Sequence, residues 1–345
     1  MFCPNPFERL EIKADGGIYC CCEGWLPRQL GNILEDDLMT IWRGPAAREI
    51  RSSILDGSFR YCRACPYLPG PGGPVISTGP VRPSAERIHT LKLDYDQTCQ
   101  LQCPSCRVTH SREFVDLPKV HQIHEAMIRS RVLEHTDRVY VTGAGDPFAS
   151  PLYFEFLRSL PHFPTNPNLS IFLHTNGLLL DEAHFNALGS NQDRVREIGI
   201  SVDAATPATY TANRQGSWEK LWRNVEFVNR LQESGRPIML GMFYTVQANN
   251  FRELLPFTRL AFAHKVAWIS VTALRNWGTY TPSDYSQRAV HLPEHPDHAE
   301  WQRVIADPSL TKDRRIVLDR FNPEFTDQDV ICNPQALLPE SRLRK

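Results

Sequence analysis

The chain has 345 residues and a formal net charge of −1, with 41% hydrophobic and 22% charged residues. That is enough apolar sequence for one large domain plus a small one, and too little net charge for a field that favours nucleic acid or an anionic membrane. Residues Met1 to Arg9 lack the apolar core of a signal peptide, and the longest apolar run, Ile238 to Val246, is far too short to span a bilayer, so a cytoplasmic protein with neither a membrane nor a nucleic-acid partner is expected.

Ten cysteines in a reducing compartment point to metal or catalysis rather than to disulfides. Six of them lie within residues 1–66: Cys3, Cys20, Cys21, Cys22, Cys62 and Cys65. Glu8 to Ala14 alternates apolar and polar residues before Asp15-Gly16, and Ile18 and Tyr19 continue beyond it. An Asp-Gly turn between two short runs predicts a hairpin that delivers Cys20–Cys22 to a defined place. Leu38, Ile41 and Trp42 predict a short helix, and Pro45 opens a second one that ends near Gly57. Cys62-Arg63-Ala64-Cys65 then offers two ligands on one tight turn. Cys3, one cysteine of the triplet, Cys62 and Cys65 are four well-separated thiolates, enough to ligate an iron–sulfur cluster fully or to hold a structural zinc. Cys20 and Cys22 are spare ligands, hydrogen-atom donors or structural thiols.

Residues 69–87 read as a linker, because five prolines and four glycines between Pro69 and Pro83 rule out a regular element. From residue 88 a strand–loop–helix pattern repeats. Strands are expected at His89–Tyr95, Arg138–Thr142, Leu169–His174, Arg196–Val202, Pro237–Val246 and Val266–Thr272. Apolar stripes at Val120, Ile123 and Met127 and at Trp218, Leu221, Trp222 and Val225 mark core-facing helices, and Leu152 to Leu160 a shorter one. The helix within Phe251–Phe262 starts at or kinks near Pro256. Alternating strands and helices imply parallel strands joined by right-handed crossovers, with functional groups at the C-terminal strand ends.

Each strand end offers something. After the first come Cys99, Cys103 and Cys106, spaced C-x3-C-x2-C. Three such thiolates can hold three irons of a [4Fe–4S] cube and leave the fourth open, since the next cysteine, Cys332, is more than two hundred residues away. A zinc site lacking one ligand is the rival reading. The second strand runs into Gly143-Ala144-Gly145-Asp146-Pro147, where two glycines let the backbone approach a ligand, or simply make a turn. The third runs into His174-Thr175-Asn176-Gly177 and the fourth into Ser201-Val202-Asp203-Ala204. Tyr210 and Arg214 follow, either at the site or on a solvated helix face. Gln247, Asn249 and Asn250 bind substrate or cap the next helix. Arg275-Asn276-Trp277-Gly278 is placed for adenine or substrate contacts, with Trp277 alternatively in the core. Beyond residue 285 one helix is expected from Pro296 to Ala306. His291, His295 and His298 read as a polar loop, because Pro293 and Pro296 break helical spacing.

The three-cysteine loop, the Gly143–Pro147 segment and the strand spacing together resemble the radical S-adenosylmethionine (SAM) superfamily. The resemblance implies an α/β fold, a partial (β/α)6 TIM-like barrel over 88–285, preceded at the N-terminus by a small cysteine-rich α+β module. That module resembles the SPASM domain in its twitch form through Cys3-Pro4-x-Pro6-Phe7, Gly16 five residues before Cys21, Gly31-Asn32, Ile41-Trp42, Arg51 and Cys62/Cys65. The Gly16 spacing makes Cys21 the preferred triplet ligand, so the implied auxiliary [4Fe–4S] ligands are Cys3, Cys21, Cys62 and Cys65. Such modules normally follow the catalytic domain, whereas this one spans 1–68, and 286–345 forms a C-terminal extension. Ser105 also departs from the aromatic residue common before the last cysteine.

Carried over to this sequence, the resemblance assigns the SAM-binding [4Fe–4S] cluster to Cys99, Cys103 and Cys106. The backbone of Gly143, Ala144, Gly145 and Asp146 receives the SAM ammonium, Ser201 and Asp203 contact its ribose, Arg214 its carboxylate, and Asn176 stands at a position common in the family. A one-electron donor such as flavodoxin or ferredoxin reduces the cluster, SAM is cleaved, and the 5′-deoxyadenosyl radical takes a hydrogen atom from an unactivated carbon. The implied enzyme is an oxidoreductase or maturase acting on a peptide or small molecule, its auxiliary cluster relaying electrons. An epimerase or dehydrogenase of a sugar or small metabolite, with Cys20, Cys22 or Cys332 as hydrogen donor, is the alternative within the family. A zinc-dependent regulator or binding module is the alternative outside it.

Overall fold

The computed structural model describes residues 2–23, 25–62 and 87–318; Cys65, most of the linker and Cys332 lie outside the described residues. The chain folds as two compact units. One comprises the residues up to Cys99 together with Arg112–His174 and His184–Arg196. The other comprises Gln100–Ser111, Thr175–Ala183 and the chain from Glu197 onward.

In the first unit the strands are β1 (Arg9–Lys13), β2 (Gly17–Tyr19), β3 (Gly31–Asn32), β4 (Ile88–Asp94), β5 (Thr136–Val141) and β6 (Ser170–Thr175), in the order β3-β2-β1-β4-β5-β6. The hairpin turns as expected at Asp15-Gly16: Gly16 has φ +85°, and Asp15 Oδ1 accepts from the Gly17 amide at 2.9 Å. The predicted helices follow at Leu38–Trp42 and Pro45–Leu55, and Gly57, just beyond, has φ +74°. The hairpin does not stand apart from the next strands: β1 lies parallel to β4, which lies parallel to β5, and β5 to β6.

The second unit holds β7 (Val195–Ser201), β8 (Met239–Val246), β9 (Trp268–Ala273) and β10 (Ile316–Leu318), each parallel to the next. Strands β4 to β9 lie within two residues of the six expected strands and carry the β/α repeats of a partial (β/α)6 TIM-like barrel. β10, three residues long, is too short to show a hydrophobic period in the sequence.

Helix starts follow local chemistry. Ser150, Thr206 and Thr281 each precede a proline, and each side chain accepts from the amide three residues on. The hydroxyl satisfies one orphan donor, and the proline removes another. Pro256 sits in the first turn of Leu254–Ala263, behind a 3₁₀ turn at Phe251–Glu253, where its missing N–H costs nothing. Near the C-terminal end of the described chain, His291 and His295 lie in a loop of turns, as expected, and His298 opens the helix His298–Ile305. His295 is buried, with Nε2 3.1 Å from the Gln287 carbonyl oxygen, and His298 Nδ1 lies 3.2 Å from that of Val290.

Alternation splits the first unit's sheet into two unlike faces. Leu10, Ile12, Leu91, Leu93, Val139, Val141, Ile171 and Leu173 form one, all essentially inaccessible. The other carries Arg9, Glu11, Lys13, Lys92, Asp94, Tyr140 and Phe172. Register pairs Glu11 with Lys92 and Lys13 with Asp94, then Lys92 with Tyr140 and Tyr140 with Phe172. Burial alone would raise the Glu11 carboxyl, but Arg9, Lys13 and Lys92 outweigh it and hold it at about 2 against an ordinary 4.5. A folded value below the unfolded one means stabilisation that is complete above pH 4.5 and lost as pH falls towards 2. Thermal melts between pH 5 and 2.5 are expected to show this acid loss, with a shallower slope in Glu11→Gln; equal slopes for the two proteins would refute it.

Candidate active site

The boundary between the two units falls inside the cysteine loop, just after Cys99. In the first unit, β4 runs out through Tyr95 and Asp96 to Cys99. Asp96 is fully buried: its amide donates to the Tyr153 hydroxyl at 2.9 Å, its Oδ1 accepts from Thr98 N at 2.9 Å, and its Oδ2 accepts from Ser150 Oγ. The segment after β5 locks onto the same stem. Asp146 N donates to the Thr98 carbonyl at 2.9 Å, and the Asp146 side chain accepts from Phe148 N and Ala149 N at 3.1 and 3.2 Å. The carboxylate is therefore occupied in the turn that precedes the helix at Pro151.

Gly145 packs against the stem of the cysteine loop. A Cβ there would lie 2.6 Å from the Thr98 carbonyl oxygen and 2.8 Å from that of Asp96, so the close neighbour is the stem of the cysteine loop itself. Gly143 donates its amide to Asp94 Oδ1 at 3.0 Å.

In the second unit, Cys106 N and Arg107 N both donate to the Cys103 carbonyl, at 2.9 and 3.2 Å, so one turn separates the two thiols. Cys103 is buried, Cys106 is exposed, and Arg107 Nη2 lies 3.5 Å from Cys106 Sγ. Burial raises the Cys103 thiol and Arg214 opposes the rise. The Cys103 Sγ lies 3.6 Å from the Arg214 carbonyl. Asn176 closes a reciprocal amide pair with Gln100, at 3.0 and 3.1 Å, which ties the end of the third core strand to the cysteine loop. Gly177 behind it has φ +83°, and a Cβ would sit 2.8 Å from Leu221 Cδ1, so only glycine serves there.

Asp203 is the joint of this unit. With φ +60° it presents its carboxylate to Thr245 N at 2.6 Å and to Arg214 Nη1 at 3.1 Å. Its carbonyl accepts from Asn213 Nδ2 and Asn250 Nδ2, both at 3.0 Å. Burial raises the Asp203 carboxyl against the pull of Arg214. Burial alone would lower the Arg214 guanidinium, but Cys103 and Asp203 outweigh it. Tyr210 and Arg214 are not on a solvated face: Tyr210 is inaccessible and the Arg214 side chain is 15% exposed. The Tyr210 hydroxyl has no hydrogen-bond partner among the described residues, within electrostatic range of Cys103, Arg214 and Asp203. An orphaned buried donor beside a cysteine of the cluster loop fits a bound group there. Ser201, half-buried, ends β7.

Other expectations resolve differently. Asn250 serves the Asp203 joint instead of capping the following turn. Gln247 and Asn249 line a cavity of about 230 Å³ with Asp284, Gln287 and Arg288. Trp277 is 65% exposed and so is not core. Asn276 turns its own loop, accepting from Gly278 N and Tyr280 N at 3.1 Å.

In the N-terminal module, Cys3 and Cys62 pack on the same apolar group of Phe7, Ile54 and Phe59. Asn5, two residues after Cys3, points Nδ2 at Cys21 Sγ from 3.9 Å. Three of the four expected ligands thus share one neighbourhood, and the donor set fits an iron–sulfur cluster. Arg51 is built into the scaffold. Its guanidinium stacks 3.8 Å over the Trp42 ring and donates to the Pro6 and Trp42 carbonyls at 2.8 Å, and burial lowers it to about 10. Burial pushes the neighbouring Cys20 thiol up to about 12. Among the described residues no three His, Cys, Asp or Glu side chains converge on a centre for one metal ion, whereas a cubane spreads its thiolates over several irons. Among them, too, no helix is long and apolar enough to cross a membrane.

The Radical SAM superfamily model matches residues 97–255, and the SPASM model, an iron-sulfur cluster-binding domain, matches residues 3–66. Comparison with curated proteins yields no match. Similar solved structures include TYW1 with a lysine-pyruvate adduct bound, at 15% identity and TM-score 0.37 over 61% of this chain and 70% of that one. They also include anSMEcpe with bound AdoMet, at 21% and 0.40 over 58% and 55%. SuiB of Streptococcus suis aligns at 11% and 0.44 over 79% and 53%. The chain thus spans about half the length of the last two. The two matched models bring with them SAM, its [4Fe–4S] cluster and an auxiliary [4Fe–4S] cluster as cofactors. From its cysteine loop, its parallel β/α repeats and these two matches, the chain belongs to the radical SAM superfamily, with a SPASM-type iron–sulfur module ahead of its core.

Proposed function

We propose that this radical SAM enzyme is an oxidoreductase or maturase that abstracts a hydrogen atom from an unactivated carbon of a peptide or small molecule. Cys99, Cys103 and Cys106 would hold the SAM-binding cluster, and Cys3, Cys21, Cys62 and Cys65 the auxiliary one. When bound, the cofactor pair supplies reductive cleavage of SAM and, through it, hydrogen abstraction. The protein's own residues hold the loop and its surroundings. Asp96, Thr98 and Gly145 brace the stem that leads to Cys99, and Asn176 holds Gln100. Asp203 keeps the Arg214 guanidinium oriented in a buried setting, where a charged hydrogen bond counts for more than in water.

The observation that carries this reading is the orphaned Tyr210 hydroxyl, buried in electrostatic range of Cys103 and Arg214, with the Arg214 Nε buried and unpartnered as well among the described residues. Four thiolates around the auxiliary cluster leave no iron open to substrate, which supports an electron-relay role, with an external one-electron donor such as flavodoxin or ferredoxin reducing the enzyme. The test is anaerobic purification with iron and sulfide analysis, then incubation of reduced enzyme with SAM. About eight irons per chain and 5′-deoxyadenosine formation are expected. A colourless zinc protein that leaves SAM intact would overturn the assignment. For the relay, Cys62→Ala is expected to keep SAM cleavage and lose product; unchanged turnover to the same product would refute it.

A further inference from the structure

The polar face of β1, β4 and β5 is more than an ordinary sheet surface. Lys13 Nζ lies 2.8 Å from Glu11 Oε2 and 3.2 Å from Asp94 Oδ2, and Lys92 Nζ lies 2.7 Å from Asp94 Oδ2 and 3.9 Å from Glu11 Oε2. Arg9 Nη2 approaches Glu11 Oε1 to 2.7 Å. Cross-strand register sets Glu11 opposite Lys92 and Lys13 opposite Asp94, and the other pairs join residues two apart along one strand. Such a network is costly to bury, and an apolar row like the one on the opposite face would stabilise the sheet more simply.

Two features give the cluster a direction. Three cations face two carboxylates within it, and Arg9 also lies in electrostatic range of Cys21. The carboxylates are the deepest members, Glu11 and Asp94 being 0% and 5% exposed in their side chains, while Lys13 and Lys92 are 22% and 13% exposed. The lysine side chains are therefore the more accessible members of the cluster, over buried carboxylates. Gly143 keeps the Lys92 end clear, since a Cβ there would lie 3.2 Å from Lys92 Nζ. Tyr140, in register with Lys92, closes the row with its ring 5.3 Å from that nitrogen.

We propose that Lys13 and Lys92 form a binding site for one carboxylate group of the substrate, on the wall that leads from β4 into the cysteine loop. This rests on the reading of the chain as a radical SAM enzyme and names the substrate's anchoring chemistry. Beside the carboxylates of Glu11 and Asp94, a carboxylate monoanion meets less repulsion than a phosphate dianion. The carboxylate belongs either to a peptide or to a small organic acid.

The test is calorimetric titration of the anaerobic holoenzyme with N-acetylglycine, its neutral counterpart N-acetylglycinamide, and acetate. N-acetylglycine is expected to saturate and the amide not to bind. Lys92→Met should weaken N-acetylglycine at least about tenfold, the loss of one charge-assisted hydrogen bond. That variant leaves Arg9 and Lys13 balanced against Glu11 and Asp94, so its fold is not asked to bury a new net charge. Lys13→Met serves as the second variant. Acetate binding as tightly as N-acetylglycine indicates a small acid, and weaker binding a peptide-like ligand. Equal binding of N-acetylglycine and its amide, or an unweakened Lys92→Met, overturns the site. Deoxyadenosine formation by the wild-type enzyme without probe reads the radical SAM assignment separately, so each proposal can fail alone.

Discussion

Cys103→Ala is expected to lose about half of the bound iron and to lower 5′-deoxyadenosine formation by more than about a hundredfold, beyond what removal of an outer-shell partner costs. The reason is position as well as ligation. Cys103 is the buried thiol of the loop, its carbonyl turns the chain for Cys106 and Arg107, and its sulfur lies against Arg214. Iron held by the N-terminal module should survive, because Cys3, Cys21 and Cys62 are far away in sequence and packed on Phe7, Ile54, Phe59 and Asn5. Iron analysis with electron paramagnetic resonance of the reduced protein separates the two sets. Retention of both signals, or full SAM cleavage, would show that Cys103 is not a ligand.

Gly145→Val should damage the same centre without touching any ligand. The first added carbon already meets two backbone carbonyls of the cysteine-loop stem, at 2.6 and 2.8 Å, and neither can swing away as a side-chain tip would. Overpacking of this kind costs about 1–3 kcal/mol, and the strain relieves itself by pushing the stem outward. The Asp146–Thr98 hydrogen bond and the Asp96 network would be the first to open. Loss of iron from the SAM-binding site, with a lowered melting temperature, is the expected result. Gly143→Ala is the comparison: its Cβ meets the movable Lys92 ammonium end at 3.2 Å and Asp94 Oδ1 only at ordinary contact, 3.6 Å, and the melting temperature should hold. Equal melting temperatures and iron contents for Gly145→Val and wild type would refute the bracing role.

Much of the candidate site was legible because its signals are local. The C-x3-C-x2-C spacing needs only eight residues of chain, Cys99 to Cys106, and the strand ends that carry Asn176 and Asp203 follow from a repeating period of two. What Gly145 does was not legible in this way. Two glycines after a strand look like room for a ligand, and the carbonyls that fill the space come from a loop almost fifty residues earlier. Tyr210 and Arg214 were likewise ambiguous on one helix, since a polar i, i+4 pair faces solvent or a buried thiol according to what packs against it. Trp277 went the other way: a large aromatic residue suggests core, but its turn, fixed by Asn276 and Gly278, leaves it exposed.

By itself the sequence determined the α/β repeat, the strand limits to within two residues, the hairpin at Asp15-Gly16 and the cysteine sets, all of them products of spacing, turn chemistry and hydrophobic period. Tertiary structure alone decided that β1 joins β4 in parallel, and with it that Glu11 faces Lys92 and Lys13 faces Asp94. Strand pairing between distant segments depends on which edges find each other after collapse. A charged residue on a half-buried strand carries no mark of the partner it will meet.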